Sequence, residues 1–236
     1  MISPYLWQEN IIQRAQYIEN RLRIGSPVIG LSIEEGLLLY SYRGHVRKVY
    51  EIYDKLMFSA LGAQADVEAL RITAVDFAHQ EGYARSETDV TIGRLVGFAL
   101  SSPLKRAFGD MTTAPFVINA LFAELNESPA EDLFFTLRYD GDFETARSFS
   151  VVAGTREAEE RAMRFLQPNH RPNLSLKEAV KLADSAWRIA ADVDLSGEPE
   201  PELLRGTRPE AGFLVRHTPR ERKFLILPNV GELLQD

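Results

Sequence analysis

The chain has 236 residues, of which 45% are hydrophobic and 26% are charged, an ordinary composition for a globular protein. Its net charge of −7 disfavours a general binder of nucleic acids or anionic membranes, because phosphate contacts need clustered Lys and Arg. The absence of cysteine excludes a disulfide framework and a thiolate zinc site. There is no signal-peptide pattern and no apolar run of membrane-spanning length, so we expect a soluble cytoplasmic protein.

The N-terminal part predicts one helix followed by two hairpins. Residues 8–23 carry a narrow apolar stripe, and Gly25 is expected to stop this helix. The stripe consists of Ile11, Ala15, Ile18 and Leu22. The stretches "PVIGLS" and "LLLYSYR" then have the character of strands joined by the turn "IEEG", and "VYEIY" with "KLMFSALG" has the character of a second hairpin.

Two helices are predicted in the middle of the chain. The first is expected to end at Gly82, and its apolar side comprises Val67, Leu70, Ala74, Phe77 and Ala78. The second begins near "SETDVTIGRLVGFAL", where Ser86 and Asp89 have the spacing of an N-terminal cap. Because the two helices follow each other closely, we expect them to be antiparallel.

The second half of the chain predicts strands, two helices and a closing hairpin. Strands are expected at "FVINALFAEL", "DLFFTLRYD" and "SFSVVAG", with a turn at Asp140-Gly141 leading into "DFETA". A helix capped by Thr155 follows, and a second has the capping box Ser175 to Glu178. Residues 194–210 are rich in Pro, Gly and charge and are expected to form an exposed loop before the hairpin "GFLVRHT" and "RKFLILP".

The order of these elements predicts an α+β fold. Helices are expected to cover the outer faces of two stacked antiparallel sheets. There is no repeat and no linker, so residues 1–236 are expected to form a single domain.

Few residue patterns point directly to chemistry. There is no Walker loop, no dinucleotide fingerprint after a strand and no H-E-x-x-H motif. The four histidines are scattered without metal-pair spacing, so neither a metal nor a cofactor is expected. One alternative is open at Gly25-Ser26: cleavage after Gly25 would free an α-amine that could act as the base for a nucleophilic Ser26.

Several collinear stretches resemble the proteasome core-particle family, and most closely its α-type subunits. The stretch "GSPVIGLSIEEGLLLYSYR" resembles the first hairpin of the family. The stretch "KVYEIYDKLMFSALGAQADVEALR" resembles the segment in which a lysine opens the second hairpin and a glycine and an aspartate lead into the first central helix. The resemblance covers roughly residues 8–192 and, more loosely, the final hairpin. Within the family, the chain most resembles bacterial α-type subunits.

This resemblance implies the N-terminal nucleophile hydrolase fold, a four-layer αββα sandwich with an extra N-terminal helix. The β-type subunits of the family cut peptides with an N-terminal threonine, an aspartate and a lysine. The positions that match this threonine, aspartate and lysine are occupied here by Ser26, Tyr42 and Lys48, respectively. Since Tyr42 cannot supply a carboxylate, the resemblance implies a noncatalytic subunit whose β-type partner performs the proteolysis.

The resemblance gives Lys48 and Gly62 a different role. In α-type subunits the matching lysine and glycine line a pocket between neighbours that receives the C-terminal carboxylate of a ring-shaped activator ATPase. The implied partners are six further copies in a heptameric ring, a β-type subunit and that activator. The Tyr-Asp-Arg gating stretch of α-type subunits is absent from "MISPYLWQEN".

The leading hypothesis is therefore a structural and gating subunit of a 20S proteasome-like particle for intracellular protein degradation. Two alternatives are open. One is a self-processing serine amidohydrolase with Ser26 as nucleophile and Lys48 beside it, and the other is a self-assembling proteasome-like scaffold.

Overall fold

Two five-stranded antiparallel sheets form the centre of the computed structural model, which describes residues 4–193 and 204–234. The first sheet has the spatial order β10 (Phe224–Ile226), β9 (Arg208–Val215), β2 (Gly36–Arg43), β1 (Val28–Ile33) and β8 (Phe149–Val152). The second has the order β3 (Val49–Tyr53), β4 (Leu56–Gly62), β5 (Ile118–Glu124), β6 (Leu133–Leu137) and β7 (Phe143–Ala146).

The structure has helices on the outer faces of both sheets and one helix, the N-terminal one, across an end of the sandwich. They are α1 (Pro4–Leu22), α2 (Gln64–Ala84), α3 (Ile92–Arg94), α4 (Ser101–Gly109), α5 (Arg156–Asn169), α6 (Leu176–Ala191) and α7 (Val230–Leu234). A 3₁₀ turn, Glu87–Asp89, precedes α3, and a π-helical segment, Leu95–Leu100, joins α3 to α4.

Three apolar clusters separate four layers. One packs α5 and α6 on the first sheet around Trp187. Another packs α2 and the α3–α4 segment on the second sheet around Phe58 and Phe122. The third lies between the two sheets and contains Leu39 and Phe134. The predicted α+β sandwich is confirmed, because each sheet has apolar side chains on both faces and must bury both.

Helix α1 lies across one end of the sandwich. Its predicted stripe is confirmed at Ile18 and Leu22, which are fully buried between the sheets, although the helix begins at Pro4 rather than near residue 8. Arg14 donates hydrogen bonds of 3.0 Å to Ala107 O and Thr113 O, so α1 is also fixed to the end of α4.

The predicted boundaries of the central helices were wrong. Helix α2 continues past Gly82 to Ala84, and the glycine instead makes room for Tyr53, whose hydroxyl would lie 2.3 Å from a Cβ there. Ser86 caps only the 3₁₀ turn, through Thr88 N. Helix α3 begins at Ile92, where the N-cap Thr91 and the buried Glu124 carboxylate accept the first free N–H groups.

Caps and turns in the second half follow the prediction more closely. Thr155 caps α5, and the capping box of Ser175 with Glu178 starts α6. The Asp140-Gly141 turn is present, with Gly141 at φ +85°.

The predicted exposed loop was wrong at its C-terminal end. Residues 208–210 belong to β9, because this strand extends the sheet beside the full length of β2. Residues 194–203 lie outside the described residues. The structure also contains helix α7, Val230–Leu234, which the sequence patterns do not predict.

A buried ion pair ties the two sheets together at the ends of inner strands. Arg216 follows β9 in the first sheet and Asp132 precedes β6 in the second. Their two bonds measure 2.9 and 2.7 Å, and both side chains are at most 3% exposed. Arg216 also donates to Ile33 O at 2.9 Å, and Ser32 Oγ donates to Asp132 at 2.6 Å. The pair thereby satisfies polar groups at the end of β1 that water cannot reach.

We expect Arg216→Met to lower the free energy of unfolding by about 3–5 kcal/mol, because the Asp132 charge would remain buried without its partner. The double variant Asp132→Asn/Arg216→Met should be less damaging, since no charge is left behind. Chemical denaturation measures the free energy of unfolding of both variants. The control is Arg156→Met, which removes an exposed pair with Glu144 at 3.9 Å and should cost less than about 1 kcal/mol. Equal losses for the two single variants would contradict the role given to Arg216.

Candidate functional site

One groove brings together three of the predicted site residues: Ser26, Lys48 and Gly62. It has a volume of about 280 Å³ and is lined by residues 25–26, 44–48 and 60–62 together with Gln64 and Val67. We call it the Lys48 groove. It crosses the sandwich, because Ser26 precedes β1 of the first sheet whereas Lys48 precedes β3 of the second.

The ammonium of Lys48 is held inside this groove by a backbone carbonyl. Its Nζ donates a hydrogen bond of 2.7 Å to Ser26 O. Burial lowers the pKa of Lys48 from its ordinary value to about 7, and the negative charge of Glu210 opposes that shift. Lys48 is therefore mostly charged below about pH 7 and increasingly neutral above it.

Glu210 supports Lys48 and was missed by sequence reasoning. It is 3% exposed on β9, and its Oε2 lies 2.7 Å from Arg43 Nε. The same carboxylate accepts the backbone N–H groups of Lys48 and Val49 at 3.4 Å. No sequence signal marks this residue, because it follows Pro209 in a segment rich in proline and charge that resembles a loop.

Gly62 lies at the junction of β4 and α2, where the second sheet dictates its backbone. Its φ is +140°, and a Cβ there would lie 2.0 Å from Val117 O. Its partner in the β4–β5 register is Ile118. The fold therefore requires glycine at this position in any case, and the missing side chain also leaves one wall of the Lys48 groove open.

Ser26 is held as part of the chain entering β1. Its hydroxyl donates to Tyr42 O at 2.8 Å, accepts from Trp187 Nε1 at 3.2 Å and lies 3.2 Å from Ser41 Oγ. Its nitrogen is in the peptide bond to Gly25, so the α-amine that the hydrolase alternative needs as a base is absent from this chain as it stands.

Tyr42, at the position that the resemblance matches to the aspartate of β-type subunits, lies buried against α6. Its hydroxyl donates to Asp184 Oδ1 at 2.9 Å, and Tyr40 donates to the same oxygen at 2.7 Å. Burial, followed by the charge of Asp184, raises the pKa of Tyr42 to about 12. Arg188 also pairs with Asp184, so this carboxylate is occupied by three donors. The four-residue spacing of Asp184 and Arg188 on a helix was the available sequence signal for the pair.

The described parts of the chain, residues 4–193 and 204–234, contain no cluster of three or more His, Asp or Glu side chains arranged to hold a metal ion. No helix in those same segments is long and apolar enough to cross a membrane.

Comparison with known proteins defines the class. The Proteasome family, described as proteasome subunit, matches residues 27–203, and the chain belongs to this family. Its curated relatives include bacterial proteins called proteasome subunit alpha. The protein of Actinosynnema mirum is 30% identical, over 98% of this chain and 87% of the relative. The protein of Geodermatophilus obscurus is 27% identical, over 93% of this chain and 76% of the relative. The protein of Frankia casuarinae is also 27% identical, over 96% of this chain and 93% of the relative. The resemblance to α-type bacterial subunits is confirmed.

Proposed function

We propose that this chain is a noncatalytic, structural and gating α-type subunit of a 20S proteasome-like particle that degrades intracellular proteins. As a single domain, it forms an outer heptameric ring and stacks on a β-type ring that performs the proteolysis. The Lys48 groove receives the C-terminal carboxylate of a ring-shaped activator ATPase. The relatives called proteasome subunit alpha support the assignment to the core particle.

The state of Lys48 carries the docking part of this proposal. Its side chain is partly buried in an open groove and forms no ion pair with any described residue; Ser26 O, a neutral acceptor, takes its hydrogen bond. A desolvated cation without a direct ion pair is costly even with the charge of Glu210 nearby, so an incoming carboxylate would both pair with Lys48 and favour its charged form. Capture of a terminal carboxylate by a compact ammonium is a recurring mode of peptide recognition.

Features of α1 support the ring. Trp7, Ile12 and Tyr17 on this helix are about half exposed, whereas Ile18 and Leu22 in its C-terminal part are buried. Exposed aromatic and aliphatic side chains on one helix are typical of a surface that contacts another subunit.

We expect Lys48→Ala, in the assembled particle, to weaken binding of a peptide carrying the activator C-terminus by about 30-fold or more, since a desolvated charge pair would lose one partner. Calorimetry or fluorescence anisotropy measures the affinity, with the C-terminal amide of the same peptide as the ligand control. The protein control is Lys177→Ala, an exposed lysine on α6. Unchanged affinity in Lys48→Ala would exclude the docking role.

The same binding should depend on pH. Only the protonated lysine pairs with a carboxylate, and the pKa of Lys48 is lowered to about 7, so affinity should be full below that pH and fall as pH rises through it. Lys48→Arg keeps its charge throughout this range and should show a flat profile. A wild-type profile as flat as that of Lys48→Arg would contradict the buried state assigned to Lys48.

The alternative of a self-processing serine hydrolase has one supporting observation, the closeness of Lys48 to the Ser26 backbone. The hydrogen bond of Ser26 Oγ to Tyr42 O, its intact peptide bond and the missing aspartate oppose it.

Native mass spectrometry of the purified chain should give full-length rings of seven, alone or with a β-type chain, identical for wild type and Ser26→Ala. A wild-type chain shortened to begin at Ser26 would instead establish the hydrolase. Rings that never combine with a β-type chain would favour the scaffold.

A further inference from the structure

The chain enters β1 through two residues that the sheet itself does not hold. The ladder between β1 and β2 begins with Val28 opposite Ser41. Pro27 has no N–H to donate, so the ladder cannot extend by one more residue through it. The position of Ser26 and Pro27 must therefore be set by other contacts.

Side chains supply those contacts. Pro27 O accepts hydrogen bonds from Trp187 Nε1 at 2.9 Å and from Ser41 Oγ at 2.6 Å. The Ser26 hydroxyl donates to Tyr42 O at 2.8 Å and lies 3.2 Å from Trp187 Nε1. Because both ends of this dipeptide are held, the direction of the Ser26 carbonyl is fixed, and that carbonyl is the acceptor for Lys48 Nζ.

Trp187 is itself held rigidly. It is fully buried, and its ring packs against Tyr42 with centroids 4.2 Å apart. Tyr42 is bonded at its far end to Asp184 at 2.9 Å, one turn before Trp187 on α6. The indole N–H is therefore a fixed donor, presented from the outer helix layer to the start of β1.

We propose that Trp187 and Ser26 are positioning residues for the partner-binding lysine: they fix the Ser26 carbonyl that holds Lys48 in the Lys48 groove. This inference rests on the proposed docking function and deepens it. A lysine side chain is flexible, and restricting it before the partner arrives reduces the entropy lost on binding. Ser26 thus holds Lys48 through its backbone carbonyl oxygen, and the Ser26 hydroxyl orients that carbonyl.

The first test is Trp187→Phe in the assembled particle, with the activator C-terminal peptide as probe. Phenylalanine keeps an aromatic ring beside Tyr42 but removes the N–H that holds Pro27 O. We expect affinity to fall about three- to tenfold, the usual worth of one hydrogen bond. The pH midpoint of binding should also move below the wild-type midpoint, because a loosened acceptor stabilises the charged lysine less.

A matched control separates positioning from general destabilisation. Val180→Ala truncates another fully buried α6 residue of the same core cluster. It should lower the melting temperature without moving the affinity or the pH midpoint. If Trp187→Phe and Val180→Ala have the same affinity and midpoint, the positioning role of Trp187 is overturned.

Ser26 variants provide a second test that does not disturb the core. Ser26→Ala removes the hydroxyl that donates to Tyr42 O and should weaken peptide binding about three- to tenfold, with the same downward movement of the pH midpoint. Ser26→Thr keeps a hydroxyl and should recover most of the affinity. Equal loss in both variants, or loss in neither, would overturn the positioning role of Ser26.

The Lys48→Ala variant distinguishes the two levels of the proposal. If it leaves peptide binding unchanged, the docking function fails, and the positioning inference fails with it. If it abolishes binding while the Trp187 and Ser26 variants match their controls, docking stands and positioning alone is wrong.

Discussion

The close packing of the two sheets is the constraint on which the rest of the structure depends. Gly30 on β1 lies so near Phe134 of the opposing sheet that a Cβ would approach its ring to 2.6 Å. This short separation lets side chains at the ends of strands reach across the sandwich. Lys48 of the second sheet reaches Ser26 of the first, and Glu210 of the first reaches the backbone of Lys48. The Lys48 groove therefore exists only because the two sheets meet face to face.

Among the described residues, buried charged side chains form ion pairs, and the partly buried Lys48 does not. Asp132 with Arg216 ties the sheets together at the ends of β9 and β6, and Arg138 pairs with Glu159 of α5 at 2.7 Å. Such pairs satisfy polar groups in places that water does not enter, and their removal one partner at a time is costly. Lys48 donates to a backbone carbonyl and forms no direct ion pair with any described residue; desolvation lowers its pKa, and the charge of Glu210 opposes that shift.

The three residues that the family resemblance aligned with β-type catalytic positions have separate structural roles in this chain. Ser26 is part of a continuous strand entry, Tyr42 joins β2 to α6 through Asp184, and Lys48 lies in the groove. The three residues remain neighbours because the sandwich still brings β1, β2 and β3 together. Tyr42 is the one of the three that reaches the outer helix layer, through Asp184 of α6.

The sequence by itself determined the layer architecture and most local signals. Alternating and continuous apolar runs defined the strands, and Thr155, Ser175 and Glu178 marked helix starts, because caps depend on residues three or four positions apart. The same locality explains the errors. Gly82 has the local signature of a helix stop, but its role is to accommodate Tyr53, a residue distant in sequence.

Only the tertiary structure decided which residues support the site. Glu210 lay in a segment of loop composition, yet pairing with β2 placed it beside Lys48 and Arg43. Trp187 was one apolar residue of an amphipathic helix until packing directed its N–H at Pro27 O. Both contacts join residues about 160 positions apart in the chain. Local sequence carries no record of such distances, because strand pairing and helix packing are settled by burial of the whole core rather than by neighbouring residues.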